Sequence, residues 1–162
     1  MAAFERVRDG AAPDLAEKLG VAMLFGEFLP AREASMPIKT KRWDEEASPD
    51  DGERILICQY RPRGLRKKDE TWDTWQRRLG PSPKLHAAFY GKNGPPIGWA
   101  RYRRRYLNEM KKQTDLIEDL AAKVAAGRTI TLLCSKQCLD PERCHRTLLR
   151  GLIEERLAGR GP

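Results

Sequence analysis

The sequence predicts an α/β fold, a single domain with a small, partly parallel sheet covered by helices and an N-terminal extension. Two short apolar segments, 54–60 and 129–134, have the composition of buried strands, and segments of helical periodicity lie between and after them. A chain of 162 residues has the length of one domain. If the two strands are parallel, their carboxyl ends lie at the same edge of the sheet.

Residues 1–36 differ from the segments that follow, and we interpret them as an extension that is helical or partly disordered. Leu15 and Leu19 would share one face of a helix, whereas Gly20 weakens the helical pattern. A proline-containing linker ends the segment. We therefore expect the α/β domain to span residues 37–159.

The domain begins with two predicted strands. Residues 38–43 alternate in polarity as a strand does, and an acidic loop follows at 44–53. Residues 54–60, RILICQY, are rich in β-branched and apolar side chains and form the strongest strand prediction in the chain. The sequence Arg-Pro-Arg-Gly at 61–64 ends this strand.

Helices are predicted in the centre of the domain. Short helices are expected at 70–79, which carries two tryptophans, and at 81–89, which begins with Pro-Ser-Pro. From residue 99 to residue 124, apolar side chains recur at helical spacing, with an interruption near Thr114. Gly127 is a suitable stop for this helical segment.

A strand at 129–134 and a helix at 141–157 complete the domain. Asp140 is a suitable N-cap and Pro141 is suited to the first helical position. Three of the four cysteines and one of the two histidines lie around this strand-to-helix junction. Because ligands bind at such junctions in open α/β sheets, the sequence predicts a functional site here.

The basic residues are concentrated in one part of the chain. The net charge is +8, yet residues 54–112 hold 16 Lys and Arg against 4 Asp and Glu, so the remainder is net acidic. A concentrated basic region favours a polyanionic partner, and nucleic acid or a nucleotide is the first candidate. A solvated basic surface without such a partner is the alternative.

The composition predicts a cytoplasmic protein without a membrane partner. No apolar segment approaches the ~20 residues that span a bilayer, and the charged start, MAAFERVRDG, lacks the apolar core of a signal peptide. Cysteines in a cytoplasmic protein of this size do not predict a disulfide framework. Cys58, within an apolar strand, is interpreted as a buried core thiol. The sequence carries no prediction of oligomeric state.

Arg63 and Gly64, in the turn after the strongest strand, form the first candidate anion site. Pro62 fixes one backbone dihedral angle and Gly64 permits a left-handed one, so the turn presents Arg63 in a defined direction. A guanidinium held in this way binds phosphate or carboxylate. In the alternative, Arg63 pairs with a carboxylate of the same domain, such as Glu109.

The second candidate site comprises three cysteines and a histidine: Cys134, Cys138, Cys144 and His145. Three thiolates and an imidazole are enough ligands for zinc, but neighbours on a helix point about 100° apart, which disfavours Cys144 and His145 as ligands of one ion. The spacing is also unlike the familiar zinc patterns. A cysteine-phosphatase loop is unfavourable because Arg143 falls one residue short of the required spacing from Cys138.

In a further interpretation, Cys144, His145 and Arg146 lie on the first turn of a helix whose free amides and dipole favour an anion. His145 then serves as an acid, a base or an anion ligand, and Arg146 serves as a clamp. The helix terminus would also lower the pKa of a nearby thiol and so make Cys144 or Cys138 nucleophilic or oxidisable. His145 and Cys144 are therefore the candidate catalytic residues, whereas the alternative gives them only a structural role in the loop.

The basic helix that begins at Trp99 is the third candidate. Its arginines, together with Tyr102 and Tyr106, suit phosphate contact and base stacking, and Arg103 joins Arg146 among the candidate anion ligands. Core tyrosines beneath a solvated basic face are the alternative.

Several short motifs agree in order and spacing with a known family. From about residue 38 to residue 157, the sequence resembles the YeaO-like family of uncharacterised bacterial and archaeal proteins. The motifs include Pro62-Arg63-Gly64-Leu65, Pro81-Ser82 and Trp99-x-x-Tyr102-Arg103-x-x-Tyr106-x-x-Glu109. Because the family is a domain of unknown function, the resemblance implies no reaction or substrate.

The resemblance bears on two of the candidate sites. It places His145 at a histidine that family members carry after the last strand. Longer relatives look similar to this chain at Cys134 and at Cys144-His145-Arg146, whereas short members lack these cysteines, which implies that not every member needs the thiols. The chain departs from the short members at Arg61, where a Trp is usual, and residues 1–36 match no family segment.

These observations predict a protein with an anion-binding site that binds nucleic acid or a nucleotide, with hydrolysis as a compatible activity. The first alternative is a thiol-based redox or zinc-binding protein that uses the three cysteines of the second candidate site. The second alternative is a non-catalytic basic interaction module. No cofactor and no metal are assigned from the sequence.

Overall fold

A computed structural model describes residues 37–160; the extension and helix expected within residues 1–36 lie outside the described residues. The strands are β1 (Ile38–Arg42), β2 (Glu53–Leu56), β3 (Thr74–Trp75) and β4 (Ile130–Cys134). The helices are α1 (Pro83–Phe89), α2 (Trp99–Met110), α3 (Thr114–Ala125) and α4 (His145–Ala158). Short 3-10 turns lie at Lys67–Asp69, Arg77–Leu79 and Pro141–Arg143. Among these described helices, none has the length and apolar character that a membrane crossing requires.

The four strands form one parallel sheet in the order β1-β4-β2-β3. The α/β class is therefore confirmed, and the two strongest strand predictions are parallel neighbours, with Ile55 opposite Leu132. All five residues of β4 are buried because the strand has a neighbour on each side and is covered on both faces. The carboxyl ends of β2 and β4 lie side by side.

Helices cover one face of the sheet and enclose the main core. Ile55, Ile57 and Leu132 project from the sheet into this core, where they meet the buried side chains of the helices. Tyr106 is fully buried, and its hydroxyl donates a hydrogen bond to the Leu79 carbonyl at 2.7 Å. Tyr102 is buried beside it, so both tyrosines are core residues.

The predicted helix at 70–79 is wrong. Residues 74–75 form β3, an edge strand beside β2, and 3-10 turns flank it. The backbone explains the difference, because the amides of Asp73 and Gln76 donate to carbonyls of β2 at 2.8 Å each. The Trp75 indole also donates to the Cys58 carbonyl at 2.8 Å, so tertiary contacts override the helical pattern.

Other boundaries moved for identifiable reasons. The strand expected at 54–60 ends at Leu56, although Ile57 still donates to the Leu133 carbonyl at 3.0 Å. The long helical segment is interrupted as expected, between α2 and α3, and Gly127 follows with a φ of 84°. That positive φ is a conformation that glycine adopts without strain.

The last helix begins four residues later than predicted. Asp140 caps a 3-10 turn, accepting a hydrogen bond from the Glu142 amide at 3.0 Å, and that turn ends at Arg143. Cys144 is then extended, with φ −133° and ψ 143°, and α4 begins at His145. The Asp-Pro start signal was therefore real but belongs to a separate turn.

A buried ion-pair network supports the amino-terminal end of β2. Asp51 is only 1 % exposed, and its carboxylate pairs with the Arg54 guanidinium and with the Lys41 ammonium, the latter at 2.7 Å. Burial raises the pKa of Asp51, but the hydrogen bonds from Lys41, the Ser48 amide and Arg54 lower it by more, so the net shift of the pKa is downward.

We expect Asp51→Asn to lower the free energy of unfolding at pH 7 by about 3 kcal/mol, because it leaves buried cations unpaired. A lowered carboxyl pKa stabilises the fold above the ordinary value of 3.8, and this contribution is lost as the pH falls through the shifted pKa. The gap between wild type and variant should therefore narrow at pH 3. Urea unfolding at both pH values measures it, with the exposed Asp50→Asn as a control that has little effect.

Gly80→Ala should destabilise the domain by about 1–3 kcal/mol through steric overlap. A Cβ at this position would lie 2.7 Å from the Gln59 nitrogen and 2.9 Å from the Cys58 carbonyl carbon, which are rigid backbone atoms. Gly151→Ala is the matched control, since nothing lies within 4 Å of its Cβ and alanine favours its helical position. Thermal unfolding should show opposite shifts, and equal shifts would contradict the packing explanation.

Candidate functional site

A cleft of about 710 Å³ opens at the carboxyl ends of β2 and β4. One wall is the segment at 58–65 that follows β2, and another is the segment at 135–138 that follows β4. Side chains from α1 and the start of α4 complete the lining. Two strands that are about seventy residues apart in sequence therefore contribute to one concave site, as parallel pairing requires.

The cleft lining contains arginines and lysines but, among its described residues, no aspartate or glutamate. Five of its residues are basic: Arg61, Arg63, Lys92, Lys136 and Arg143. Arg61 pairs with Glu70 at 2.6 Å, and Arg143 lies 3.8 Å from Asp140. Within residues 37–160, the remaining three cations form no ion pair, so their charge faces the cleft uncompensated.

An aromatic wall lies beside these cations. The ring of His86 packs between Tyr60, at a centroid distance of 5.1 Å, and Tyr90, at 4.7 Å. The two tyrosines are 50 % and 45 % exposed, which is unusual for large aromatic side chains. Burial lowers the pKa of His86 and raises that of Tyr90 to about 12, so both are neutral at pH 7.

The floor of the cleft holds a cluster of thiols. The Cys134 thiol donates to Cys138 with 3.2 Å between the sulfurs, and Cys144 is buried beside them. Cys58 packs in the same apolar cluster, so it is buried as predicted but is also part of the thiol cluster. The pKa of Cys138 is lowered to about 3, chiefly because Cys134 and then Cys144 donate hydrogen bonds to its thiolate.

His145 anchors the floor to the end of β2. Its ring is buried, and Nε2 lies 2.9 Å from the Ile57 carbonyl oxygen. A carbonyl only accepts, so Nε2 carries the proton and Nδ1 holds the free lone pair. Nδ1 lies 3.8 Å from the Cys134 sulfur. Burial lowers the pKa of His145, which keeps the imidazole neutral at pH 7.

Arg146 follows His145 but does not line the cleft. It is only 5 % exposed, and its Nε and Nη1 atoms have no hydrogen-bond partner among the described residues. Its charge still reaches the thiol cluster, where it helps to lower the pKa of Cys138. An arginine buried in this way is unusual, because a desolvated charge is costly without a counter-charge.

Four of the six candidate site residues meet in the cleft. Arg63, Gly64, Cys144 and His145 all contribute to its lining. Arg63 is exposed in a turn in which Gly64 has a φ of 73°, as the sequence required. Arg146 lies next to the floor. Arg103 is an exposed residue of α2 outside the lining, so it is not part of this site.

The alternative pairing of Arg63 with Glu109 is wrong. Glu109 instead accepts hydrogen bonds from the backbone and hydroxyl of Ser82, at 2.9 and 2.6 Å, and so supports the N-cap of α1. The motif around Ser82 and Glu109 therefore positions the helix that carries His86.

Sequence reasoning missed the aromatic wall and three of the cations, which are Lys92, Lys136 and Arg143. His86 and Tyr90 lie four residues apart and so share one side of the chain as α1 ends, a spacing that the sequence does contain. Lys136 and Arg143 stand within the loop after the last predicted strand, so their position also favoured the site. Tyr60 lies in a segment predicted as strand, where exposure was not expected.

Comparison with known proteins identifies the family. Residues 38–157 match the DUF488-N3a family, described as the active DUF488-N3 subclade. The chain is 35 % identical over 100 residues to the uncharacterised protein YeaO of Escherichia coli, covering 62 % of this chain and 84 % of YeaO. It is 28 % identical over 81 residues to uncharacterised proteins of Mycobacterium bovis and Mycobacterium tuberculosis, covering 50 % of this chain and 66 % of each relative. No solved structure matches. The described residues, 37–160, thus contain the whole family match, and the chain belongs to the DUF488-N3a family.

Proposed function

We propose that the cleft binds a nucleotide unit, either a free nucleotide or one within a single-stranded nucleic acid. The observation that carries this proposal is the positive charge of the lining, which among its described residues includes five cations, no aspartate or glutamate, and one thiolate, that of Cys138. A concave surface of one charge concentrates oppositely charged ligands, and low-dielectric walls strengthen the effect. Phosphate is the anion that such ligands supply.

Arg63 is the proposed phosphate ligand at the rim. It is exposed, and it has no ion pair among residues 37–160, unlike Arg61. The left-handed conformation of Gly64 bends the turn that carries it. A planar guanidinium binds two phosphate oxygens at once, which gives more specificity than an ammonium group supplies.

The aromatic wall supports binding of a base as well as a phosphate. Exposed Tyr60 and Tyr90 offer ring faces on which a base can stack, and His86 holds them at a fixed separation. The cleft volume of about 710 Å³ lies within the range of small-ligand sites. The combination of cations and exposed aromatic rings is typical of proteins that bind single-stranded nucleic acid.

His145 and Cys144 form part of the floor in this proposal, and we assign no hydrolytic step to them. Both are buried, and Nε2 of His145 already donates its proton in a hydrogen bond to the Ile57 carbonyl. If the protein is instead a basic interaction module, the arginines of α2 should contribute as much to binding as those of the cleft.

Arg63→Ala should weaken binding of a labelled single-stranded oligonucleotide or nucleoside triphosphate about tenfold, which corresponds to about 1.4 kcal/mol. For an oligonucleotide, the slope of log K against log salt should also fall by about 0.7, the value for one lost phosphate contact. Fluorescence anisotropy across a salt series measures both quantities.

Arg101→Ala and Arg104→Ala are matched controls, because they remove the same charge from exposed positions of α2 outside the cleft. We expect each to change affinity less than about twofold. Equal losses in cleft and control variants would favour the interaction module, and the absence of binding at low salt would exclude the proposed function. Separate titrations with the nucleotide and with the oligonucleotide distinguish the two sources of the ligand.

Tyr60→Ala should weaken binding of the nucleotide or oligonucleotide, since one stacked base contributes about 1–3 kcal/mol. Pyrophosphate is the control ligand because it has the phosphates without a base, and its affinity should not change. Competition against the labelled nucleotide measures both ligands with one variant. A similar loss for pyrophosphate would show that Tyr60 supports the cleft structure instead of the base.

A further inference from the structure

We propose that the floor of the cleft holds a zinc site with four protein ligands: Cys134, Cys138, Cys144 and His145. This inference is independent of the proposed nucleotide binding. It rests on the positions of the side chains at the junction between β4 and α4, the junction at which the sequence predicted a site.

The ligand atoms are already grouped. The Cys134 and Cys144 sulfurs and a ring nitrogen of His145 all lie within 4.8 Å of one another, and all three residues are buried. Tetrahedral zinc, with bonds of about 2.3 Å to sulfur and 2.0 Å to nitrogen, places sulfur and nitrogen about 3.6 Å apart. The separation between the Cys134 sulfur and Nδ1 of His145 is 3.8 Å. Little movement is therefore needed to form the bonds.

His145 is oriented as zinc-bound histidines are. A zinc ligand presents one ring nitrogen to the metal and donates the other ring proton to a carbonyl or carboxylate, which fixes its tautomer. Here Nε2 donates to the Ile57 carbonyl at 2.9 Å, which leaves the Nδ1 lone pair free. The Cys134 sulfur lies 3.8 Å from Nδ1 and 3.9 Å from Nε2, so the ring has to turn slightly to direct Nδ1 at a metal ion. The carbonyl that would hold His145 as a metal ligand is thus already hydrogen-bonded to its ring.

The backbone removes one of the two objections that the sequence raised against zinc, the one based on helix geometry. That objection assumed that Cys144 and His145 are successive helical residues, whose side chains diverge by about 100°. Cys144 is instead extended, with φ −133° and ψ 143°, and α4 begins only at His145. The change of backbone conformation between the two residues lets their side chains converge.

Cys138 supplies the proposed fourth ligand, and Arg146 supplies a counter-charge for the zinc site. The Cys138 sulfur lies 3.2 Å from that of Cys134, on the cleft side of the cluster but outside the group of three ligands that lie within 4.8 Å of one another. Its side chain would therefore turn towards the metal to become the fourth ligand. Zinc with three thiolates and a neutral imidazole carries a net charge of −1. The buried guanidinium of Arg146, which has Nε and Nη1 unpartnered among the described residues, is a matching counter-charge. Zinc binding would thus neutralise an otherwise costly buried cation.

The site would fix the loop that carries two of the cleft cations. Lys136 lies between the ligands Cys134 and Cys138, and Arg143 directly precedes the ligand Cys144. Four protein ligands leave no open position, so the zinc is structural and acts by restraining this loop. Cysteine and histidine ligands with this geometry favour zinc over the hard cations magnesium and calcium.

The first test is the metal content of the full chain, purified under reducing conditions without chelator. We expect about one zinc ion per chain by elemental analysis. The metal-free protein should bind added Zn²⁺, and Co²⁺ should give intense visible bands of a tetrahedral site together with a sulfur-to-cobalt charge-transfer band. If the folded, reduced protein binds neither ion, the zinc site is excluded.

Paired variants test the ligand set. Cys138→Ser should weaken Zn²⁺ binding more than about a hundredfold. Even the loss of a residue that only hydrogen-bonds to a metal ligand lowers metal affinity about 10–100-fold. Cys58→Ser is the matched control, a thiol of the same cluster that we do not assign as a ligand. His145→Ala should likewise remove the metal, whereas His86→Ala, at the other histidine of the cleft, should retain it.

Each other outcome changes the assignment. Retention of zinc by Cys138→Ser, or its loss from Cys58→Ser, would overturn the four-ligand set. If His145→Ala unfolds, the Co²⁺ spectrum of the wild-type protein still decides whether a nitrogen and thiolate site exists. Nucleotide titrations of the metal-free protein keep the two proposals apart, because loss of zinc and loss of nucleotide binding are measured separately.

Discussion

The pairing of β4 with β2 is the interaction on which the site depends. The peptide groups of Ile57, directly after β2, connect this pairing to the site. The Ile57 amide donates to Leu133 in β4 at 3.0 Å, and its carbonyl accepts from His145 at the start of α4. The same residue buries its side chain in the main core. Sheet, helix and cleft floor are therefore joined at one position. Gly80 approaches the carbonyl oxygen of this residue as well, which explains why a methyl group is not tolerated there.

The distribution of charge follows from this arrangement. The buried carboxylate of Asp51 lies at the amino-terminal end of β2 and neutralises the cations Lys41 and Arg54. At the carboxyl ends, the cleft cations Arg63 and Lys136 have no such partners within residues 37–160. The protein thus satisfies its charges at one edge of the sheet and leaves positive charge available at the other. This asymmetry is the reason why we propose a phosphate-bearing ligand for the cleft.

Much of the fold could be predicted from local patterns, because buried strands and capped helices have strong local signals. The central strand at 130–134 and the stop at Gly127 are examples. Features set by distant contacts could not be predicted. The strand at 74–75 exists because β2 offers it backbone partners, and the exposure of Tyr60 depends on how α1 packs. The direction of Cys144 was missed because one extended residue separates two helical segments, and periodicity does not resolve a single residue.

The order of the strands has a consequence for biosynthesis. The last strand of the chain, β4, is inserted between β1 and β2, which are made first. Until β4 has left the ribosome, β1 has no described strand partner and the thiols of the floor are not assembled. The cleft is therefore absent from the nascent chain, and folding ends with the closure of long-range contacts, which is a slow step. A ligand or a metal ion that binds the finished cleft would stabilise the completed chain and not its intermediates.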